Sequence, residues 1–276
     1  MLELSGRTAF VTGAASGIGL ALARAFAAEG MNVMLADIEA GALEAAVEGL
    51  RRAGEMIDSV VCDVSDFSSV SRAAAATAAR FGPVHILCNN AGVAGGSGIE
   101  AISPETWRWV VDVNLMGVMH GIAAFLPAMR AHGQGGHIVN TASMAGLQAN
   151  IGFSPYVATK YAVVGMSEGL ARDLAPEGIG VSVLCPGFVR TRISDSGRNL
   201  PERYGPAVKP TPGSPAALLA QHLAESASAG LDPDAVARRR SPRSGRTSSM
   251  CSPKAMRDEV DARFAEIDAA FRRAAR

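Results

Sequence analysis

The sequence predicts an α/β fold, a doubly wound parallel sheet in a three-layer α/β/α arrangement. Three observations predict it. Up to Pro186, short apolar runs alternate with longer helical patterns, as βαβ units require. The short runs are continuously apolar, which suits strands buried on both faces. A Gly-rich turn directly follows the first run, where a doubly wound sheet binds its ligands.

The elements follow in order. Thr8–Thr12 reads as the first strand. A helix runs from about Ile18 to Ala28 and ends at Glu29-Gly30, since glycine is the usual residue just past a helix. Asn32–Ala36, Ser59–Cys62, Val84–Cys88, His137–Thr141 and Val181–Cys185 supply five further strands. Ala-rich stretches near 39–53, 66–81, 104–132 and 157–175 supply the helices between them. Right-handed crossovers then cover both faces of the sheet. After Pro186 the alternation stops. Residues 188–230 are rich in Gly, Pro, Ser and Ala and read as a long irregular lid. Val260, Phe264, Ile267 and Phe271 mark one face of a last helix. We read all 276 residues as one domain, a length this class accommodates.

Composition narrows the function. The chain is 48% hydrophobic and 19% charged with zero formal net charge, so nothing draws it as a whole to nucleic acid or anionic membrane. The N-terminus MLELSGRTAF lacks a cationic segment followed by an apolar run, and is not a signal peptide. No uninterrupted apolar run reaches the roughly 18 residues of a membrane span. Cys62, Cys88, Cys185 and Cys251 lack metal-ligand spacing. The first three sit at strand ends as buried thiols, which fits a reducing cytoplasm.

Four motifs carry chemistry. TGAASGIG, Thr12–Gly19, stands between strand and helix. Gly13, Gly17 and Gly19 permit a tight turn and close backbone approach to a pyrophosphate, with Ser16 and Ile18 alongside. The free N–H groups of the helix start favour the anion. Asp37 ends the second strand, where a carboxylate accepts both adenosine ribose hydroxyls and repels a 2′-phosphate. Neither Ala15 nor Ile38 is basic, so NAD is favoured over NADP. Asp63 and Val64 follow the third strand and suit the adenine. Asn89, Asn90, Ala91 and Gly92 follow the fourth and suit the cofactor cleft, although Asn90 fits a purely structural turn equally well. Finally, Tyr156 and Lys160 lie four apart on one helix face. A phenol titrates near pH ~10. A nearby ammonium and a positive nicotinamide both favour phenolate, making Tyr156 a general base for an alcohol proton. Ser143 ends the strand before it and can bind the same substrate oxygen.

Thr12–Gly19, Asn89–Gly92, Asn114, Ser143, Tyr156, Lys160 and Pro186-Gly187, in this order and spacing, resemble the short-chain dehydrogenase/reductases of the NAD-preferring type. The resemblance covers about Leu4–Thr191. It implies a Rossmann fold, NAD(P)-linked hydride transfer, and a homo-oligomer, tetramer or dimer. It also implies that Asn114 holds a water linking Lys160 to solvent, that Lys160 and Tyr156 touch the cofactor, and that Pro186, Gly187, Val189 and Thr191 line its nicotinamide end. No metal is expected. The implied reaction interconverts a secondary alcohol and a ketone. Phe188, Ile193, Leu200 and Tyr204 in the lid suggest an apolar substrate, and the sequence from Gly178 to Ile193 resembles members acting on bulky benzylic alcohols. A non-catalytic NAD-binding protein is the second reading, but it has no need of Ser143, Tyr156 and Lys160 together.

One tract stands apart. Residues 238–253 hold Arg238, Arg239, Arg240, Arg243 and Arg246 among serines and prolines. No aromatic residues interleave them, which argues against a nucleic-acid surface. Relatives continue here with a helix and a last apolar strand. Permitted codons for 240–253, read from the third base, encode such a strand. The tract is either a surface loop or the product of two compensating frame changes.

Overall fold

The computed structural model describes residues 4–51, 56–95, 103–149, 152–206 and 210–238, with 261, 264 and 265. The N-terminal half of the chain builds β1 (Thr8–Thr12), α1 (Gly17–Ala28), β2 (Asn32–Asp37), α2 (Ala40–Arg51), β3 (Ile57–Val61), α3 (Phe67–Phe81) and β4 (Val84–Asn89). There follow α4 (Pro104–Val111), α5 (Gly117–Ala131), β5 (Gly136–Thr141), α6 (Ser154–Leu174), β6 (Ile179–Leu184), α7 (Pro215–Ser228) and α8 (Pro233–Arg238). The six strands are parallel, in the order β3-β2-β1-β4-β5-β6. The expected α/β architecture is therefore the observed one. The order reverses between β1 and β4, and that switch point opens a crevice at the strands' carboxyl ends.

Side chains alternate across each buried strand. Ala9, Val11, Val33, Leu35, Ile86 and Cys88 face α1 and α2 with Leu22, Phe26 and Leu43. Phe10, Met34, Leu87 and Ile138 face the other way, against Val70, Phe125 and Met129 of α3 and α5. The Phe10 and Phe125 rings lie 4.4 Å apart. Both faces being covered explains why the strands read as unbroken apolar runs.

Three expectations need correction. The 104–132 stretch is two helices joined by a π-helical turn, Asp112–Met116. Taken together Pro104–Ala131 is long and apolar enough on average to cross a membrane, yet Trp109, Val110, Val118, Phe125 and Met129 are buried against the rest of the protein. The segment after Pro186 is not wholly irregular. Ser214 caps α7 by accepting from Ala217 N–H at 3.2 Å, with Pro215 in the first turn, a start signal for helices. Third, β3 and β6 begin two residues earlier than their apolar runs suggest, at Ile57 and Ile179. The basic tract beyond Arg238, and the helix predicted over 259–271 apart from residues 261, 264 and 265, lie outside the described residues.

Candidate active site

A cleft of about 750 Å³ runs along the carboxyl ends of the strands, a size suited to a small-molecule site. Its floor begins at the turn after β1. Gly13 and Gly17 adopt left-handed backbone at φ 64° and 55°, which glycine does without strain. A methyl group on Gly13 would meet Ala91 Cα at 2.9 Å, and one on Gly17 would meet Thr191 Cγ2 at 2.8 Å. On Gly19 it would fall 2.1 Å from the Gly13 carbonyl oxygen. Ser16 precedes α1 without capping it through its side chain, so the free N–H groups at that helix start face the cleft beside Ile18. These features form a cradle for a pyrophosphate.

Asp37 closes one end. It accepts from Ala15 N–H at 2.9 Å and Glu39 N–H at 3.1 Å, which locks the carboxylate against the Gly-rich turn. Ionised oxygens have further acceptor capacity, so ribose hydroxyls fit there as well. Asp63 and Val64 line the wall beyond. Asp63 accepts from Ser65 N–H and hydroxyl at 2.9 and 2.6 Å and from Arg203 at 3.1 Å. Burial would raise its carboxyl pKa, but the Ser65 and Arg203 hydrogen bonds outweigh it and hold the group below the usual range. The residues present fit a dinucleotide: tight glycines, an uncapped helix start and an acceptor at the ribose end.

The fourth strand separates two neighbours that the sequence treats alike. Asn89 is still inside β4 and buried. Its Nδ2 donates to Asn140 Oδ1 at 2.9 Å, and Asn140 donates to the Ser167 hydroxyl at 3.0 Å. It packs over Gly121 and does not line the cleft, which corrects the expectation for it. Asn90 does line it. It also donates to the carbonyls of Thr12 and Gly13 at 3.0 and 3.4 Å and accepts from Thr141 Oγ1 at 3.2 Å. The Thr12 hydroxyl accepts from both Asn90 and Ala91 N–H, at 2.9 and 3.0 Å. Thr12 and Thr141 thus stitch β1, β4 and β5 together under the cleft. The sequence reading missed both roles, and adjacency to Gly13 was the only cue for Thr12.

At the far end stand Ser143, Tyr156 and Lys160. Ser143, in extended backbone, shares this end of the cleft with the Tyr156 phenol; Ala145 N–H donates to the Ser143 hydroxyl oxygen at 3.1 Å. Lys160 is buried and donates to the Thr141 carbonyl at 2.9 Å. Its Nζ lies 5.5 Å from the Tyr156 ring centre. Burial lowers the ammonium pKa to about 8. Burial also pushes the Tyr156 phenol above its ordinary value, while Ser143 works in the opposite direction. The lowering expected from the ammonium together with a positive nicotinamide is thus opposed by burial of the phenol. Asn114 lies in the π-turn, fully buried and outside the cleft lining. Its amide accepts from Val93 N–H at 2.8 Å and donates to Val93 carbonyl and Thr159 Oγ1 at 2.9 and 3.4 Å.

Pro186, Gly187, Val189 and Thr191 form the opposite rim. Hydrogen bonds of 2.9 Å between Leu231 and both Phe188 and Arg190 hold this strip in place. Phe188, Ile193 and Leu200 join Val93, Trp109 and Phe153 around the reactive end. Tyr204 does not. Its ring packs with Val93, Trp109 and Val110, and its hydroxyl donates to Asp112 at 2.7 Å, which corrects the expectation that it faces the substrate. Cys62, Cys88 and Cys185 are buried and outside any disulfide, as expected. No group of His, Cys, Asp and Glu able to hold a metal occurs among the described residues.

Comparison with known proteins agrees with this geometry. A model of the short chain dehydrogenase family matches residues 7–200. A C alpha-dehydrogenase from Sphingobium sp. is 36% identical over 206 residues, 74% of this chain and 68% of the relative. The structure of a short chain dehydrogenase/reductase from Burkholderia phymatum in complex with NAD superposes with a TM-score of 0.93 at 38% identity, covering 98% of this chain and 97% of that one. A variant of the actinorhodin polyketide ketoreductase with NADPH superposes at 0.74 and 32% identity, covering 91% and 97%. The chain is a member of the short-chain dehydrogenase/reductase family, an oxidoreductase with its fold.

Proposed function

We propose that the protein is an NAD-dependent dehydrogenase of a bulky, apolar secondary alcohol, working between alcohol and ketone. The carrying observation is that Ser143, Tyr156 and Lys160 share one cleft with the Gly13–Gly19 turn and Asp37. Gly13, Ser16, Gly17 and Ile18 hold the pyrophosphate, with Gly19 backing the turn. Asp37 takes the adenosine ribose, and Asp63, Val64, Asn90, Ala91 and Gly92 take the adenine side and the cleft floor. Pro186, Gly187, Val189 and Thr191 take the nicotinamide. When bound, the dinucleotide accepts the hydride and, oxidised, brings a positive charge.

The chain's own residues handle the oxygen and the proton. Ser143 and Tyr156 bind the hydroxyl oxygen of the substrate, and Tyr156 takes its proton. Lys160, fixed on the Thr141 carbonyl, places its ammonium beside the phenol and offsets part of the burial that disfavours phenolate. Asn114 braces Val93 and Thr159 under the site with its amide, so a relay at this residue uses its main-chain carbonyl. Phe153, Phe188, Ile193 and Leu200 give the substrate end an apolar wall, which favours a bulky, apolar alcohol, and the C alpha-dehydrogenase relative favours a dehydrogenase. A reducing cytoplasm suits thiols outside any disulfide, and the family resemblance suggests a homo-oligomer. NADH formation across a panel of benzylic and aliphatic secondary alcohols tests the reading. Tyr156→Phe should lower turnover about a thousandfold and keep NAD binding; turnover retained in that variant would overturn Tyr156 as the base, and wild-type protein that binds NAD but oxidises none of the panel would leave only the binding protein.

A further inference from the structure

We propose, on the NAD reading above, that Glu39 is a second determinant of cofactor choice. It neutralises two lid arginines, Arg192 and Arg198, which stand at the adenosine end of the cleft and would otherwise attract a 2′-phosphate. Arg192, Arg198, Glu39 and Asp37 all line the same cleft. Glu39 is fixed relative to Asp37, whose carboxylate accepts its N–H at 3.1 Å. The Glu39 carboxylate then accepts from Arg198 Nε at 3.1 Å and from a second Arg198 nitrogen. Asn199 Nδ2 donates to it at 2.9 Å and Arg192 at 3.4 Å. One carboxylate thus gathers three lid residues that lie more than 150 positions further along the chain.

Arg198 does not need Glu39 to stay where it is. Its remaining terminal nitrogen donates to the main-chain carbonyls of Arg192 and Asp195 at 3.0 and 2.8 Å. Removing the Glu39 charge therefore leaves a positioned guanidinium with two free donors near Asp37. Guanidinium groups bind phosphate bidentately. The other nearby carboxylate, Asp195, stays 3.8 Å from each arginine and is mostly exposed, so it compensates weakly. Searching Ala15 and Ile38 for a basic residue overlooks these cations, because the lid supplies them.

Calorimetric titration of the full chain with NAD and NADP tests this. Glu39→Gln should improve NADP binding relative to NAD by about tenfold, with NAD still preferred because Asp37 remains. Arg198→Gln added to it should cancel the gain. Glu39→Asp, which keeps the charge, should stay near the wild-type ratio. Arg198→Gln alone, which leaves Glu39 less neutralised, should weaken NADP relative to NAD by about threefold; it serves as the second reading should Glu39→Gln not fold. An unchanged ratio in Glu39→Gln or in Arg198→Gln, with NAD still bound, overturns the inference alone. An equal shift in Glu39→Asp overturns it too, by assigning the effect to lid packing. Wild-type protein binding neither dinucleotide overturns the NAD reading and the inference with it.

Discussion

The turn after β1 and the lid over residues 192–204 face each other across one cleft and are built in opposite ways. The turn is backbone against backbone. Gly13, Gly17 and Gly19 leave no space for a methyl group, and Thr12, Asn90 and Thr141 tie three strands beneath them. The lid is held by polar clasps: Arg198 and Asn199 on Glu39, Arg203 on Asp63, Tyr204 on Asp112, and the Ser196 hydroxyl, which accepts from Ala94 N–H at 3.0 Å. Pairs with a half-exposed partner, such as Arg203–Asp63, contribute little individually. The contrast teaches that one side of the cleft is fixed by backbone packing that tolerates no added atom, whereas the facing side is fixed by side-chain ties that a single substitution can remove.

Mutation can break or sharpen that contrast. If the chemistry belongs to the rigid side, Tyr156→Phe should lower turnover about a thousandfold, roughly 4 kcal/mol of barrier, with the melting temperature little changed; steady-state kinetics checks it. Gly19→Ala should remove about 3 kcal/mol of stability through overpacking, along with cofactor binding, read by chemical denaturation and calorimetry. A well-folded, binding Gly19→Ala protein would erase the distinction between turn and lid.

The underside of the sheet offers a pH test. His85 is buried, accepts from Thr8 N–H at 3.3 Å and meets Gln134 at 2.9 Å. Burial, with Arg7 and His132 nearby, lowers its pKa despite the Gln134 contact. Below about pH 6.5 the unfolded chain takes a proton that the folded chain refuses. Stability is thus full above that pH and falls as pH drops toward the depressed value, by at most about 1.4 kcal/mol per pH unit. Melting curves from pH 7.5 to 5 should show this slope, and His85→Gln should flatten it. The smallest effect belongs to the lid. Arg203→Ala should alter stability by less than about 1 kcal/mol, while increasing protease cleavage near residues 192–204.

Much of the rigid side was legible in the sequence. Continuously apolar strands, glycines between strand and helix, and Tyr156 four residues before Lys160 all follow from local rules. What escaped depends on register or on distant partners. Asn89 and Asn90 differ only in which side of β4 they occupy, and a strand's last residue is set by its neighbours. The π-turn at Asp112–Met116 leaves the apolar pattern of 104–132 almost unbroken. Helix α7 announced itself through Ser214-Pro215, but Gly, Pro and Ser nearby masked it. Glu39 carries no signal at all until the lid folds back onto it.

The strand order also sets a schedule. β1 lies between β2 and β4, so its two neighbours exist once residue 89 has been made. From then on β5 and β6 are added outward at one edge, each onto a finished template. Domains assemble during synthesis roughly in chain order. β1, β2 and β4, which carry the Gly-rich turn and Asp37, are thus paired before β6 is laid down at the end of the strand order. The consequence is that late-made segments bear on the β6 edge, where unpaired backbone is a template for aggregation, and not on the turn that the first strands have already fixed.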